Sequence, residues 1–416
     1  MVIKMNSYKH NNTCRICLGE ELIKVLDLGR TPPANAFLKE EELQNPEPLF
    51  PLALYFCKAC SLVQILDVVD PEMLFKNYHF LTGASQPAVE HFQKYAQQVI
   101  KPFITSKNDL VVDIGGNDGV LLEPVKEFAR VQNVDPADNL APISEARGVP
   151  FYSAFFNSIV ADDLLKQYGT AKVVTANNVF AHTDPIRDVF KGVAKLIGEE
   201  GTFIFEVHWV KHLIDEVAFD QIYHEHLCFY SLHALKWLVE SAGMTLFDVE
   251  IIPMQGRSLR VYAAKDRPVS SRVAELLAEE ERSYLTKENT FLEFGAKVEK
   301  NKEKLKNLLS DLKSKGKKIA GYGAPAKSTT LLNYYGIGPE TISYIVDSTS
   351  LKQGLYTPGT HIPIYPPGYI HENIPDYVVI FAWNFKDAIL EKEKALFKKG
   401  VKFIVAIPDI AIIESL

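Results

Sequence analysis

A regular alternation of strand-like and helix-like segments constrains the fold of this chain more than any other feature. Between Leu110 and about Lys265 there are seven apolar, strand-like segments, and helical segments separate most of them. This alternation indicates a mostly parallel sheet with helices on both faces. The last two segments, TLFDVEII and SLRVYAA, are joined by a short turn at Gly256, which predicts an antiparallel edge.

A second alternation begins after Lys317 and predicts a small α/β domain of about 100 residues. Residues 71–105 have helical spacing, and the charged stretch 268–315 predicts one or two solvated connecting helices rather than a partner-binding coil. We therefore expect three parts. Residues 1–70 form an irregular module, 71–267 the central α/β domain, and 268–416 the connecting helices with the C-terminal α/β domain.

Bulk composition excludes several classes of protein. A net charge of −7 provides no global positive field for nucleic acid. No apolar run reaches the roughly 18–20 residues that span a bilayer, and the N-terminus lacks an apolar signal region. We expect a cytoplasmic protein without a membrane or nucleic-acid partner. Its oligomeric state is left open, and a monomer is one possibility.

Four of the five cysteines form two CxxC pairs, Cys14/Cys17 and Cys57/Cys60. Two such pairs can supply four thiolates to one tetrahedral zinc ion, with no position left for chemistry. The alternatives are four unconnected reduced cysteines or a redox pair, although no thioredoxin-like βαβ unit surrounds either pair. The spacing predicts a structural zinc site.

A glycine-rich turn follows the first strand of the central domain, in VVDIGGNDGVLL. It fits neither the dinucleotide fingerprint nor a P-loop, and an acidic residue directly before the glycines suits the cationic end of S-adenosylmethionine better than a pyrophosphate. Acidic and amide side chains follow at the ends of later strands, where open α/β sheets bind ligands. The order resembles class I methyltransferases, although another nucleotide remains an alternative. The predicted cofactor-binding residues are Asp113, Gly115, Gly116, Asn117, Gly119, Asp135, Asn177 and Asn178.

A polar cluster, Tyr223-His224-Glu225-His226, follows the fifth strand of the central domain. Its spacing is not the HExxH of a zinc site, and histidine is suited to removing a proton near neutral pH. Glu225 could orient one imidazole, and Tyr223 could donate to a developing oxyanion. A surface loop whose histidines cap helices is the alternative. His182 lies at the same edge of the predicted sheet, and Tyr78 precedes a glycine turn that could close over the site.

The C-terminal domain carries a second strand–glycine–helix turn, AGYGAPAKSTTLL. Its glycines, a helix N-terminus and a lysine together predict a cradle for a diphosphate or carboxylate. The alternative is tight strand–helix packing without a ligand. The predicted substrate-binding residues are Gly321, Tyr322, Gly323, Lys327 and Ser328 here, with His224 and Arg257 in the central domain.

Taken in order, these motifs resemble the S-adenosylmethionine-dependent sugar 3-C-methyltransferases of deoxysugar biosynthesis. The resemblance spans the chain: paired CxxC, KNYHFLTGASQ, VVDIGGNDG, NNVFAH, IYHEHLCFYS, SLRVYAA and GYGAPAKSTTLL. It implies a dTDP-4-keto-deoxysugar substrate and methylation through an enolate. It also implies that His226 is the base, with Tyr223, Glu225, His182 and Tyr78 around the sugar. The family tends to have Gly-Gly before SLRVY, where Arg257 here adds a charge near the nucleotide end.

The resemblance implies a class I, Rossmann-like methyltransferase domain between a zinc module and a small Rossmann-like domain. Two other functions remain open on the residues alone. One is transfer of the methyl group to a sugar oxygen or amine, for which a Tyr-His-Glu-His cluster exceeds what is needed. The other is a non-catalytic zinc protein that binds a nucleotide-sugar or a partner.

Overall fold

The computed structural model describes residues 8–75, 81–253 and 257–415. Within these ranges the strands form a two-stranded sheet and sheets of four, six and seven strands. No helix in the described part of the chain is both long and apolar enough to cross a bilayer.

The N-terminal module is a β structure, so the expectation of an irregular segment was wrong. Its strands are β1 (Tyr8–His10), β2 (Leu22–Thr31), β3 (Phe50–Cys57), β4 (Val63–Ile65) and β5 (Asp67–Val69). β2 and β3 pair antiparallel across two irregularities in their register, which explains why the sequence shows no clean strand alternation there. The helical region that follows contains α1 (Pro71–Phe75), α2 (Gln86–Tyr95) and a π-helical turn at Ala96–Ile100.

The central domain contains the predicted alternation of strands and helices. Its strands are β6 (Leu110–Ile114), β7 (Arg130–Asp135), β8 (Phe151–Ser153), β9 (Val173–Asn177), β10 (Thr202–His208), β11 (Cys228–Phe229), β12 (Thr245–Ile252) and β13 (Ser258–Ala264). Its helices are α3 (Leu122–Val125), α4 (Ala141–Ala146), α5 (Ser158–Tyr168), α6 (Ile186–Ile197), α7 (Val210–Asp215) and α8 (Leu232–Ser241).

Seven of these strands form one sheet in the order β12-β13-β10-β9-β6-β7-β8. The pairs from β10 to β8 are parallel, whereas β13 is antiparallel to both of its neighbours, as the short turn before it predicts. Parallel strands end at one edge of a sheet, so the loops after β6, β7, β9 and β10 converge there. This edge carries most of the predicted site residues.

The charged segment after β13 folds into α9 (Ser271–Arg282) and α10 (Glu288–Ser314). The prediction of a solvated connecting helix was wrong, because α10 buries one apolar face. Phe291 stacks on Phe56 of β3 with ring centroids 4.8 Å apart. A Cβ on Gly295 would lie 2.3 Å from the carbonyl oxygen of Val25 in β2. The helix therefore packs directly on the N-terminal module.

The C-terminal domain has a six-stranded sheet in the order β16-β15-β14-β17-β18-β19, parallel except at β19. Its strands are β14 (Ile319–Tyr322), β15 (Ile345–Val346), β16 (Ile364–Tyr365), β17 (Tyr377–Ile380), β18 (Lys402–Val405) and β19 (Ala411–Ile413). Its helices are α11 (Ala326–Tyr335), α12 (Tyr369–Glu372), α13 (Lys386–Lys392) and α14 (Lys394–Phe397).

Strand β11 belongs to a different sheet from the rest of the central domain. It pairs antiparallel with β4 and extends the sheet of the N-terminal module to the order β11-β4-β3-β2. We call residues 220–229, which end in this strand, the polar loop. Because one end of the polar loop is a strand of the N-terminal sheet, that module fixes where the loop lies.

Candidate active site

The glycine turn after β6 has the backbone conformation that its sequence predicts. Gly115 and Gly119 have φ angles of +65° and +78°. Asn117, between them, also has a positive φ of +51°, which asparagine tolerates better than most residues. A Cβ on Gly115 would lie 2.5 Å from Cγ2 of Val179. The turn is thus restricted to glycine and can admit a ligand close to its backbone.

Asp113 and Asp135 are the two buried carboxyls next to the glycine turn. The Asp135 carboxylate accepts hydrogen bonds from the backbone N–H of Asn117 and of Ala137, at 3.0 and 2.9 Å. Asp113 is 3% exposed and accepts a 2.7 Å hydrogen bond from the Thr175 hydroxyl. Burial raises the pKa of Asp113 to about 7, against the effect of that hydrogen bond. Asp135 holds the turn in place, Asp113 is bonded to β9, and direct contact of either carboxyl with a ligand stays a prediction.

Two asparagines after β9 provide polar atoms without a partner at this edge. The side-chain oxygens of Asn177 and Asn178 are buried and accept no hydrogen bond from any described residue. Asn178 also has a φ of +58°. A buried polar atom without a partner is costly, so such atoms favour a bound ligand. They fit an adenosyl cofactor seated on the glycine turn.

The segment after the undescribed residues 76–80 lies on the glycine turn. Backbone N–H groups of Thr82 and Gly83 donate to the side chains of Asn117 and Asp118, each at 3.0 Å. The predicted glycine turn of KNYHFLTGASQ therefore does contact the presumed cofactor site. Tyr78 itself lies outside the described residues, as does Gly256.

His226 is held by two hydrogen bonds within the polar loop. Its Nδ1 lies 2.8 Å from the carbonyl oxygen of Gln221, and its Nε2 lies 2.9 Å from the Tyr223 hydroxyl. A carbonyl only accepts, so Nδ1 carries the proton, and the lone pair of Nε2 accepts from the Tyr223 hydroxyl. The His182 ring is centred 5.1 Å and the His208 ring 5.7 Å from that of His226. Three histidines therefore meet at the carboxyl edge of the central sheet.

These histidines are kept neutral by their surroundings. Burial lowers the pKa of His226 well below its usual value, and the neighbouring His182 and His208 act in the same direction. Burial likewise lowers the pKa of His182 to about 4. His182 donates from Nδ1 to the carbonyl oxygen of Glu225, at 2.6 Å. A neutral imidazole with a free lone pair is the form that can accept a proton.

Glu225 and His224 are directed toward the N-terminal module. The Glu225 carboxylate accepts a 2.7 Å hydrogen bond from the side-chain amide of Asn35. Burial raises its pKa to about 6, while the Asn35 bond lowers it. The Nε2 of His224 donates to the carbonyl oxygens of Phe50 and Pro51 at 3.3 and 3.2 Å. His224 is 1% exposed, so this geometry favours docking of the loop over contact with a substrate.

Sequence reasoning missed three groups at this site: the Asn35 amide, the Gln221 carbonyl and the His208 ring. Asn35 lies far away along the chain, and a backbone carbonyl has no sequence signature. His208 ends β10 at the edge of the sheet, and this position at a strand end was the signal that could have found it.

Lys327 and Arg257 lie near a tryptophan at the boundary of the two α/β domains. The Lys327 ammonium is 4.4 Å from the centre of the Trp383 ring and donates to Asn384 at 2.6 Å. The His212 ring stacks on the Trp383 ring, with the two ring centroids 6.4 Å apart. Burial lowers the pKa of His212; the charges of Glu216 and Asp215 oppose this effect, and those of Arg257 and Lys327 add to it. Two cations, one of them at the start of α11, could hold an anion here.

The other predicted residues of the C-terminal turn are used in packing. A Cβ on Gly321 would lie 2.7 Å from Phe381, and one on Gly323 would lie 2.9 Å from Ala382. The Tyr322 hydroxyl donates to Glu393 at 2.9 Å. Ser328 is 1% exposed and donates to the Pro325 carbonyl at 2.6 Å. These contacts favour tight strand–helix packing for these four positions, and ligand contact by Lys327 stays a prediction.

The four predicted metal ligands come together. The sulfurs of Cys14, Cys17, Cys57 and Cys60 all lie within 4.8 Å of one another, with Cys14–Cys60 at 3.5 Å and Cys17–Cys57 at 3.4 Å. Four sulfurs at about 2.3 Å from one Zn²⁺ would be roughly 3.8 Å apart. The cluster therefore fits a closed tetrahedral zinc site.

Three family models match separate parts of the chain. "Putative zinc binding domain" matches residues 14–75, "Methyltransferase domain" residues 89–249, and "C-methyltransferase C-terminal domain" residues 253–408. The predicted fold class, the zinc-binding module and the S-adenosylmethionine-dependent methyltransferase domain are thereby confirmed.

Known proteins resemble the chain to different extents. The C-methyltransferase NovU of Streptomyces niveus is 35% identical over 406 residues, which cover 97% of each chain. A magnesium protoporphyrin IX methyltransferase from Synechocystis PCC 6803 with bound SAM is 13% identical over 44% of this chain and 79% of its own, at a TM-score of 0.32. An S-adenosylmethionine-dependent methyltransferase from Clostridium acetobutylicum ATCC 824 is 13% identical over 42% of this chain and 91% of its own, at a TM-score of 0.34. Scores this low establish nothing further.

Identity over nearly the full length carries more weight than these partial likenesses. The protein belongs to the C-methyltransferase family and is an S-adenosylmethionine-dependent enzyme with an N-terminal zinc-binding module.

Proposed function

We propose that the enzyme methylates C-3', the carbon next to the keto group, of a nucleotide-linked 4-keto-deoxysugar. The observation that carries this proposal is the neutral, buried His226, whose unprotonated Nε2 lies at the edge of the sheet that also bears the glycine turn. Methylation at carbon needs a base, because a C–H group next to a ketone is too weak an acid to ionise in water at neutral pH. Methyl transfer to an oxygen or a nitrogen would not need a base strong enough to ionise a C–H group.

In the proposed reaction, Nε2 of His226 accepts the C-3' proton. A positioned base of this kind contributes about 10²–10⁴-fold to the rate. The Tyr223 hydroxyl, which donates to that nitrogen at 2.9 Å, is released by the incoming proton and can donate to the enolate oxygen. His182 is a neutral acceptor at Nε2, because its Nδ1 is held by the Glu225 carbonyl. It can accept from a sugar hydroxyl.

Bound S-adenosylmethionine supplies an electrophilic methyl group on sulfur. The enolate carbon of the sugar would take this methyl group, with the carbon–sulfur bond broken and a neutral thioether released. The glycine turn, Asp135, Asn177 and Asn178 would hold the adenosyl group, as expected from their place at the sheet edge. Exclusion of water from this buried edge would protect the enolate from protonation by solvent.

We place the nucleotide diphosphate at the boundary of the two α/β domains. Lys327 and Arg257 supply the positive charges, and the start of α11 supplies backbone N–H groups. Asp220, whose carboxylate accepts from Trp383 at 2.8 Å, lies close enough for Lys327 to lower its pKa, although burial raises that pKa to about 6. The hydrogen bond from Trp383 to the buried Asp220 holds in place the indole ring that the Lys327 ammonium contacts.

A methylation assay tests the function directly. The enzyme is incubated with S-adenosylmethionine and a panel of 4-keto nucleotide-sugars, and the products are analysed by mass spectrometry and by ¹³C NMR with a labelled methyl group. A new carbon–carbon bond at C-3' supports the proposal. A methyl group on oxygen or nitrogen, or no transfer with any sugar of the panel, refutes it.

Exchange of the C-3' proton with D₂O tests the base. The His226→Asn variant is expected to lose this exchange by about 10²–10⁴-fold while it still binds S-adenosylmethionine. His371→Asn is the matched control, because this half-exposed histidine of α12 contacts Glu393 in the C-terminal domain. Unchanged exchange in His226→Asn would contradict the assignment of the base.

A further inference from the structure

One exposed side chain of the zinc-binding module reaches the polar loop. Asn35 follows β2 and is exposed, yet its side-chain amide donates to Oε1 of the buried Glu225 at 2.7 Å. Glu225 is 6% exposed and is the immediate neighbour of His226. A residue of the zinc-binding module therefore takes part in the geometry of the candidate active site.

The segment that carries Asn35 is fixed on both sides. Thr31 and Ala34 are 3% and 2% exposed, and the prolines between them are buried as well. The carbonyl oxygen of Ala34 accepts a 2.9 Å hydrogen bond from the Thr329 hydroxyl of α11. This segment lies between the C-terminal domain and the polar loop, so the position of Asn35 is set by the fold and not by its own side chain alone.

Asn35 and the Glu225 carboxylate differ in what they can offer. The amide NH₂ of asparagine can only donate, and an ionised carboxylate can only accept. A bond between them is therefore strongest when Glu225 is ionised. It occupies Oε1 and gives the carboxylate a defined orientation beside the base.

We propose that Asn35 is a positioning residue that holds Glu225 ionised and in a fixed orientation beside His226, so that the zinc-binding module contributes to catalysis as well as to stability. This inference rests on the proposed function for the part that Glu225 plays. The effect of Asn35 on the Glu225 carboxylate does not rest on it.

The electrostatics around Glu225 agree with this role. Burial raises the pKa of Glu225 to about 6, and the Asn35 amide opposes that rise. The titratable neighbours of the carboxylate are His224 and His226 beside it in the chain, and His182, which donates to its backbone carbonyl. Burial lowers the pKa of all three histidines, so none of them provides a positive charge near neutral pH.

The test measures Glu225 without any substrate. Infrared difference spectra between the wild type and Glu225→Gln isolate the carboxyl band, and its pH titration gives the pKa. Asn35→Ala is expected to raise that pKa by about one unit, since one unit corresponds to the loss of a single good hydrogen bond. Asn35→Asp should raise it further through repulsion between two carboxylates. Asn45→Ala, an exposed asparagine of the same module, is the control and should change nothing.

Activity then tests the positioning role. In Asn35→Ala, the acid limb of kcat/KM should move to higher pH by the same amount, and adding Asn35→Ala to Glu225→Gln should have no further effect. Zinc content and the circular dichroism spectrum must match the wild type. An unchanged infrared titration overturns the inference. A shifted titration in an enzyme that methylates no keto-sugar leaves it standing and refutes the proposed function instead.

Discussion

Glu280, a buried carboxylate of the connecting helices, is expected to be highly sensitive to substitution. It lies in α9, is fully buried, and accepts hydrogen bonds from four donors. These are the Trp209 indole at 2.7 Å, the backbone N–H of Leu232 at 2.6 Å, and the backbone N–H and Nδ1 of His233 at 3.1 and 2.7 Å. Trp209 directly follows β10, and Leu232 begins α8 after the polar loop. Glu280 therefore fixes both ends of the segment that carries His226.

The expected effect of Glu280→Ala follows from these four bonds. A hydrogen bond to a charged group contributes about 1.5–3 kcal/mol, but the four are not additive, because freed donors recover part of their energy from water. Removing one partner of a buried charged arrangement costs about 3–5 kcal/mol. For a domain of about 200 residues this corresponds to a fall in Tm of roughly 6–20 °C. Glu280→Gln keeps one acceptor and is expected to lose about half as much.

Thermal unfolding by calorimetry and steady-state methylation at a temperature below the transition measure the two consequences. Glu281→Ala is the matched control, since Glu281 is the adjacent residue and its side chain is 69% exposed. The Glu280 variants should also lose kcat, because the polar loop is no longer held at its C-terminal end. If Glu280→Ala unfolds within about 2 °C of Glu281→Ala, α9 does not hold this segment in the way its contacts indicate.

Three further outcomes are expected. Gly116→Ala should abolish S-adenosylmethionine binding in calorimetric titration, because the added Cβ would lie 2.4 Å from Oδ1 of Asn133. Gly368→Ala is the control and should bind S-adenosylmethionine normally, because the Cβ there would enter open space. Equal affinities of the two variants would contradict the predicted cofactor site. Chelation of the zinc should lower activity together with Tm, and added Zn²⁺ should restore both; full activity in metal-free protein would separate the module from the site. Because His226 has a lowered pKa and stays neutral, kcat/KM should be constant near neutral pH and fall as pH drops through about 6, where Glu225 takes a proton. The fall should be absent in Glu225→Gln, and its persistence there would exclude Glu225.

Those parts of the fold that depend on local patterns were predictable from the sequence. The strands of the central domain and the glycine turn follow from hydrophobic runs bounded by glycine and acidic residues. The N-terminal strands were missed, because β2 and β3 contain register irregularities and few alternating residues. The buried face of α10 was missed, because its many charged residues outweigh the apolar stripe that contacts β3.

The site likewise combines residues that a local pattern places with residues that only a contact between distant parts of the chain brings in. The CxxC pairs were found because their spacing brings them together. A turn or a strand end places Asp135 and Asn177, whose contact with the cofactor stays a prediction. Asn35 was not found, because its role depends on a contact between residues 190 positions apart. The individual roles proposed for His226 and Lys327 remain predictions.

The pairing of β4 with β11 has a consequence for how this polypeptide is made. Gln64 pairs with Cys228, so the N-terminal sheet stays incomplete until most of the central domain has left the ribosome. During that interval β4 presents an unpaired edge, which is a site for aggregation. A fragment that ends before β11 would keep this edge permanently. The metal-binding part should therefore be produced together with the downstream chain, and separate expression of the parts is expected to give insoluble material.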